Sequence, residues 1–257
     1  MADWNPELYA RYADERLRPV VDLLARVPLA KAARILDVGC GAGASTAPLV
    51  EHFAGAEVLG IDTSPAMIAK ARQTVPGARF EIADGASFTS DARFALVFSN
   101  ATLQWIPDHP RLLPHLMGLL APGGVLAVQM PDTLDEPSHV LMREVAAEPL
   151  FAAALAGAEG ARTRLLSFEA TWDALAPTAS TIEQWRTTYV HAFDGVGRIV
   201  EMLRSTGLKT FLDPLDEADR AAFLARYQAR LAAAYPATAD GRVLFRFPRR
   251  FFVAVRA

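Results

Sequence analysis

A short glycine-rich segment constrains the fold of this chain more than any other part of its sequence. The run LDVGCGAGAS, from Leu36 to Ser45, joins an apolar segment to a helix-forming one. Its glycines allow a sharp turn and let the backbone approach a ligand more closely than a residue with a Cβ atom could. The helix after the turn offers N–H groups to a carboxylate or phosphate. The segment therefore predicts a strand, a ligand-binding turn and a helix.

Apolar runs and amphipathic stretches alternate along the first half of the chain. The runs are nearly continuous, which favours strands covered on both faces, and they occupy 34–38, 57–62, 79–83, 95–99 and 124–129. Ser64-Pro65 is typical of a helix start, a second helix is predicted over 109–120, and the sequence APGG at 121–124 is typical of a turn. This alternation predicts an α/β, Rossmann-like fold with a mostly parallel sheet.

The remaining segments are predicted as helices followed by strands. We expect an N-terminal helical lid over 1–30 and a helical insertion at about 135–180, then a strand over 181–189. A helix capped by Asp216 is predicted over 216–235, and a closing strand over 242–255, interrupted at Pro248. Because no repeat or low-complexity linker separates these parts, we predict one domain over 1–257.

The composition of the chain argues against several classes of partner. With 26 Lys and Arg against 29 Asp and Glu, the net charge is −3, which argues against nucleic acid as a partner. A single cysteine, Cys40, leaves no internal disulfide and fits a reducing compartment. No apolar run reaches the ~20 residues of a membrane span, and the N-terminal segment lacks the apolar region of a signal peptide. We therefore expect a cytoplasmic protein with no membrane partner and no metal; the oligomeric state stays open.

An acidic residue at the end of the second run points to a cofactor. Asp62 lies 19 residues after Gly43, where a carboxylate can accept hydrogen bonds from the hydroxyls of a ribose. Loop and acid together predict an adenosine-containing cofactor. The glycine spacing is G-x-G-x-G, and neither a Tyr-x-x-x-Lys pair nor a G-K-[ST] motif is present, which disfavours an NAD-dependent oxidoreductase and phosphoryl transfer. A non-catalytic adenosyl-binding module remains an alternative.

Asp37, two residues before the first glycine, resembles motif I of class I methyltransferases that use S-adenosylmethionine (SAM). That resemblance implies that Asp84, after the third run, contacts the adenine amino group; an exposed turn residue is the alternative. Tyr9 is expected to shield the sulfonium and Arg16 to meet a carboxylate. The candidate cofactor-binding residues are Tyr9, Arg16, Asp37, Gly39, Gly41, Gly43, Asp62, Met67, Asp84 and Asn100.

Narrower motifs resemble the trans-aconitate methyltransferase family over nearly the whole chain. They include LQWIPDH at 103–109, VQMPD at 128–132 and WRTTY at 185–189. The resemblance implies a seven-stranded sheet with its last strand antiparallel, SAM as donor with S-adenosylhomocysteine as product, and monomethyl esterification of a small polycarboxylic acid, foremost trans-aconitate. Thr171 and Trp172 stand where relatives place a Tyr-rich aromatic pair, so another small acid, or a hydroxylated secondary metabolite, stays open as acceptor.

A carboxylate acceptor requires little catalytic machinery. It is ionised at pH 7 and can attack a methyl group without a general base, so we assign no catalytic residue. Its non-reacting carboxylates need cations, because an unpaired buried charge costs several kcal/mol. The candidate substrate-binding residues are Trp105, His139, Arg143, Tyr189, His191 and Arg249, with His139 and Arg143 as a clamp one helical turn apart. Each residue type has a structural alternative: that the histidines serve only the core, that the arginines form solvated surface pairs, and that Trp105 is a core or lid residue.

Overall fold

The computed structural model describes residues 13–204 and 206–257. Its centre is a sheet of seven strands in the order β3-β2-β1-β4-β5-β7-β6, with six strands parallel and one antiparallel. The strands are β1 Arg34–Val38, β2 Glu57–Asp62, β3 Arg79–Ile82, β4 Phe94–Asn100, β5 Leu120–Pro131, β6 Ala179–Phe193 and β7 Val243–Arg256. The predicted α/β, Rossmann-like fold is confirmed.

Helices lie between most consecutive strands, as expected where parallel strands cannot be joined by tight turns. In chain order they are α1 Ala13–Leu24, α2 Thr46–His52, α3 Pro65–Thr74, α4 His109–Gly118, α5 Pro137–Ala146, α6 Phe168–Leu175, α7 Val196–Arg204, α8 Lys209–Leu212 and α9 Glu217–Ala234. The predicted caps of α3 and α9 are confirmed: Ser64 Oγ accepts from Met67 N, and Asp216 Oδ1 accepts from Asp219 N. Of the helices that the structure describes, none is both long and apolar enough to cross a membrane.

The chain separates into two compact units. Of the described residues, the first unit holds 13–131, 165–186 and 250–257, and the second holds 132–164 and 187–249. In the first unit, β1, β2, β4 and β5 are parallel neighbours, and their apolar side chains form a core with α4 and α6. In the second unit, α9 packs against α5 and α7 around the buried rings of Phe151, Phe223 and Tyr227. The prediction of one domain with an N-terminal lid and an insertion remains a prediction.

Two boundary predictions are wrong. The expected turn at 121–124 is part of β5, which begins at Leu120. The pairing of β4 with β5 joins Phe94 to Leu120 and then shifts register before Leu96, and Gly123 takes a φ of +73° at this irregularity. The expected break at Pro248 does not occur, because β7 runs through it. Proline lacks an N–H group but still accepts, and Asp132 N donates to the Pro248 carbonyl at 3.0 Å.

Candidate functional site

The glycine loop directly follows β1 in the first unit. The φ angles of its three glycines are +74° at Gly39, +53° at Gly41 and +94° at Gly43. These conformations favour glycine over any other residue. A Cβ atom on Gly39 would lie 2.1 Å from the Thr102 side chain, whereas one on Gly41 would meet nothing within 4 Å. The loop is therefore tightly packed at Gly39 and open at Gly41, where a ligand can approach the backbone.

Asp37, the last residue but one of β1, is fully buried. Its Oδ2 accepts from the Ser45 hydroxyl at 2.8 Å and the Thr46 hydroxyl at 2.7 Å, which ties β1 to the start of α2. Burial raises the pKa of this carboxyl from 3.8 to about 6, against the lowering effect of the two hydroxyls. Its other oxygen, Oδ1, is buried and has no hydrogen-bond partner among the described residues. Asp37 thus holds the loop and keeps one acceptor atom unused.

Asp62 at the end of β2 faces the same loop. Its Oδ2 accepts from Gly41 N at 3.0 Å, and its Oδ1 accepts from Ser64 N at 2.9 Å. Each carboxylate oxygen offers two lone pairs, so both oxygens retain capacity for a further donor. The side chain is half-buried and lies beside the glycine loop, and its role towards a cofactor remains a prediction.

The end of β3 contributes a third carboxylate. Asp84 is exposed, and its Oδ1 accepts from Ala86 N at 2.9 Å in a tight turn. A Cβ atom on the next residue, Gly85, would lie 2.5 Å from Val38 Cγ1, so the turn sits closely against the end of β1. Met67, in the first turn of α3, is buried. Asp37, Asp62 and Asp84 therefore lie at or near the carboxyl ends of three adjacent strands, at one edge of the sheet.

The end of β4 borders the loop from the other side. Strand order reverses between β1 and β4, which is where parallel α/β sheets bind ligands. Asn100 ends β4, and its Oδ1 is buried with no hydrogen-bond partner among the described residues. Trp105 ends a short 3₁₀ helix just beyond, half-buried, with its backbone N–H donating to the Thr102 carbonyl at 2.9 Å.

Sequence reasoning missed two residues that join β4 to the loop. The buried Ser99 hydroxyl donates to the Val38 carbonyl at 2.9 Å, and the Thr102 hydroxyl donates to the Gly39 carbonyl at 3.1 Å. The available signal was a group of three polar residues, Ser99, Asn100 and Thr102, at the end of an otherwise apolar strand. Polar side chains at that point of a parallel strand indicate a site edge.

In the second unit, the predicted clamp residues lie together. His139 and Arg143 of α5 line one pocket, and a second arginine that the sequence did not suggest, Arg162, lines it with them. Burial, with Arg162 and Arg143 nearby, lowers the pKa of the His139 imidazole well below 6.5, which keeps the ring neutral and favours the structural-histidine alternative; its role towards a substrate remains a prediction. The neutral ring contacts Thr133 Oγ1 through Nε2 and Ser138 Oγ through Nδ1, both at 3.1 Å.

Three other predicted substrate residues, Tyr189, His191 and Arg249, lie in the same unit. Tyr189 and His191 are buried on one face of β6, while the residues between and after them are exposed. His191 has ring contacts with Phe193, Phe245 and Phe247. The buried guanidinium of Arg249 lies 4.6 Å from the centre of the Phe247 ring, so Phe247 contacts both His191 and Arg249. Their role towards a substrate remains a prediction.

Two predicted cofactor residues cannot be placed. Tyr9 and the side chain of Arg16 lie outside the described part of the chain. Among the residues that the structure does describe, no group of three or more His, Cys, Asp or Glu side chains is arranged to hold a metal ion.

A strand order of 3-2-1-4-5-7-6, with a glycine loop and carboxylates at the edge where the order reverses, defines a class I methyltransferase. A family model described as a methyltransferase domain matches residues 35–124. The fold is also that of the YcgJ protein from Bacillus subtilis (TM-score 0.61, 14% identity, 95% of this chain and 98% of that one). Phosphoethanolamine N-methyltransferase 2 from Haemonchus contortus, solved with S-adenosylhomocysteine, shares the fold too (TM-score 0.57, 20% identity, 93% of this chain and 52% of that one).

Several trans-aconitate 2-methyltransferases are similar to this chain over its full length. A trans-aconitate 2-methyltransferase from Methylobacterium nodulans is 58% identical over 100% of this chain and 99% of the relative. Those from Methylobacterium radiotolerans and Variovorax paradoxus are 52% and 50% identical over at least 98% of either chain. The chain belongs to the trans-aconitate 2-methyltransferase family.

Proposed function

We propose that this protein transfers the methyl group of SAM to one carboxylate of trans-aconitate, forming a monomethyl ester. The observation that carries the proposal is the full-length similarity to trans-aconitate 2-methyltransferases, at 58%, 52% and 50% identity. The similarity covers both compact units, so it includes the candidate substrate residues of the second unit as well as the glycine loop of the first.

The residues of the first unit fit SAM. The cofactor presents hydrogen-bond donors, an ammonium group and two ribose hydroxyls. The site presents acceptors: Asp37 Oδ1 and Asn100 Oδ1 are buried without hydrogen-bond partners among the described residues, and Asp62 retains lone pairs. Gly41 leaves open space beside the backbone. Buried acceptors and an open loop match a ligand rich in donors.

Each residue has a proposed part in holding the cofactor. Asp62 accepts from the ribose hydroxyls, as a strand-end carboxylate does in nucleotide sites. Asp84 accepts from the adenine amino group, and Asp37 and Asn100 face the ammonium end. Gly39, Gly43 and Met67 shape the surrounding surface. Tyr9 and Arg16 remain proposals from sequence.

The chemistry asks for positioning rather than acid–base catalysis. When bound, SAM supplies an electrophilic methyl group on a sulfonium. The acceptor carboxylate is ionised at pH 7 and is itself the nucleophile, so no protein base is needed. The protein contributes by orienting the acid and excluding water, effects that reach about 7–11 kcal/mol when the reacting atoms are well aligned.

The second unit supplies the charges that a polycarboxylate requires. Arg143 and Arg249 are the proposed partners of its non-reacting carboxylates, because a guanidinium can donate two parallel hydrogen bonds to a carboxylate. Tyr189, His191 and Trp105 are proposed to contact the acid. We further propose that the protein acts in the cytoplasm, needs no metal and binds neither nucleic acid nor membrane, on the grounds of composition and the absence of metal-ligand motifs from the sequence.

Incubation with SAM and a panel of acids tests the proposal. The panel contains trans-aconitate, cis-aconitate, citrate, isocitrate and an aromatic acid, and mass spectrometry detects any methyl ester. We expect a product heavier by one methylene group from trans-aconitate at a higher kcat/KM than from the others. Absence of ester from every polycarboxylate, in a protein that binds SAM, would refute a carboxyl methyltransferase.

Replacing the ribose partner tests the cofactor site directly. Asp62→Ala removes charge-assisted acceptors worth about 1.5–3 kcal/mol each, so calorimetry should show SAM bound on the order of 10²-fold more weakly. Asp91→Ala is the matched control, because Asp91 lies exposed in a loop of the same unit. Equal SAM affinity in the two variants would contradict the site assignment.

A further inference from the structure

The pocket in the second unit brings together residues from distant parts of the sequence. His139 and Arg143 of α5, Arg162 beyond the 3₁₀ turn at Ala158–Ala161, and Thr210 of α8 line it, with Leu134 and Phe211 as apolar walls. Its volume is about 20 Å³. One water needs roughly 10–15 Å³ on this measure, so the pocket admits one small polar group and not a whole tricarboxylic acid.

A hydrogen-bonded chain fixes the position of Arg162. Its Nη1 donates to Thr133 Oγ1 at 3.1 Å, and the same oxygen contacts His139 Nε2. The other ring nitrogen contacts Ser138 Oγ, and Ser138 N donates to the Tyr235 hydroxyl at 3.2 Å. A neutral imidazole donates at one nitrogen and accepts at the other, and both hydroxyls can reciprocate, so the chain holds the guanidinium without adding charge.

Two guanidinium groups line the pocket. Arg143 and Arg162 carry one positive charge each, His139 is neutral, and Asp132 provides a negative charge near Arg162. Burial and the neighbouring Arg143 lower the pKa of Arg162 to about 10, which leaves its guanidinium charged at neutral pH. A guanidinium donates well to carboxylate oxygens, and two guanidinium groups on one small pocket attract an anion, so this pocket favours an anionic occupant.

We infer that the pocket binds one non-reacting carboxylate of the acceptor acid, with Arg162 and Arg143 as its ligands. His139 then acts as a positioning residue for Arg162 through Thr133. The inference rests on the proposed function, since it takes the anion to be one end of the polycarboxylic acid. It assigns a substrate-binding role to Arg162, which neither the motifs nor helical periodicity indicate, and it changes the role of His139 from cation to support.

Two arginines two residues apart provide a matched pair of variants. Arg162 lines the pocket, whereas Arg164 is exposed and pairs with Asp135 at 2.9 Å. Calorimetric titration of trans-aconitate into protein saturated with S-adenosylhomocysteine measures acid binding without turnover. We expect Arg162→Met to raise the Kd of trans-aconitate about 10- to 100-fold, the loss of one charge-assisted hydrogen bond or a bidentate pair. Arg164→Met should stay within about twofold of the unaltered protein, since an exposed ion pair contributes little.

Steady-state kinetics distinguish weaker substrate binding from a general loss of active enzyme. Arg162→Met should raise KM for trans-aconitate far more than it lowers kcat, and Arg162→Lys should recover part of the loss. The preference for trans-aconitate over a dicarboxylic acid that lacks one carboxylate should shrink in Arg162→Met. His139→Phe should raise KM in the same direction as Arg162→Met, with S-adenosylhomocysteine affinity unchanged. Equal behaviour of the Arg162 and Arg164 variants, or an equal loss for both acids, would overturn the inference.

A measurement on the unaltered protein tests the inference even if the variants fail to fold. In a crystal structure with S-adenosylhomocysteine and trans-aconitate, we expect a substrate carboxylate within hydrogen-bond distance of Arg162 or Arg143. Carboxylates bound elsewhere, with the pocket holding only water or chloride, would overturn the inference. If the unaltered protein neither binds nor methylates trans-aconitate, the proposed function fails; if it does both and the pocket is not used, only the present inference fails.

Discussion

Asp37 should make this protein less stable as the pH rises from 4 to 7. Its carboxyl is fully buried, and burial raises its pKa from 3.8 to about 6 in the folded protein. A raised pKa means that the folded state binds the proton more tightly than the unfolded state does. The stabilisation from the protonated form is therefore complete below pH 3.8 and is lost as the pH rises through 6.

The expected magnitude follows from the two pKa values. Their difference, from 3.8 to about 6, multiplied by about 1.4 kcal/mol per pKa unit, gives about 3 kcal/mol. Asp37→Asn removes the titration but keeps a side-chain oxygen that accepts from Ser45 and Thr46. Because part of this change occurs below pH 4, the free energy of unfolding of the original protein should fall by about 2–2.5 kcal/mol relative to Asp37→Asn between pH 4 and pH 7.

Urea unfolding without cofactor, at intervals from pH 4 to 8, measures this difference. The control is Asp240→Asn, because Asp240 is exposed and its hydrogen bond from Thr238 lowers its pKa below 3.8. The difference in free energy of unfolding between the original protein and Asp240→Asn should stay constant above about pH 4.5. If the Asp37 difference is equally constant from pH 4 to 7, or increases with pH, the assignment of a buried carboxyl with a raised pKa is refuted.

Two further predictions concern packing. Gly39→Ala should lower the free energy of unfolding by at least about 1–3 kcal/mol, because φ is +74° and the new Cβ would lie 2.1 Å from Thr102. Adding Thr102→Ala should restore only part of the loss in urea titrations, because it removes the steric contact and leaves the backbone strain. Full restoration would contradict the backbone argument. Tyr227→Phe should cost about 1–3 kcal/mol by leaving the buried Ser138 carbonyl without its 2.9 Å hydrogen bond. Tyr235→Phe should cost less, because the hydrogen bond that its hydroxyl accepts from Ser138 N is longer, at 3.2 Å; the reverse order in thermal unfolding would contradict this ranking.

Much of the first unit can be predicted from sequence because its signals are local. Apolar runs indicate strands, and Ser64-Pro65 indicates a helix start, because periodicity and capping depend on neighbours in the chain. The glycine loop and Asp62 can be paired from sequence, because parallel strands place their carboxyl ends at one edge of the sheet. By contrast, the APGG segment is typical of a turn, and the register shift that keeps it in β5 depends on pairing with Phe94, which is distant in the chain.

Sequence alone determined the family, the strand and helix order up to β5, and the residue types at the cofactor edge. Tertiary structure decided which of those groups carry charge and where they lie. Burial and two guanidinium groups make His139 neutral, and a loop far along the chain brings Arg162 beside Arg143. Charge state follows from desolvation and from neighbours distant in sequence, and neither can be deduced from local spacing.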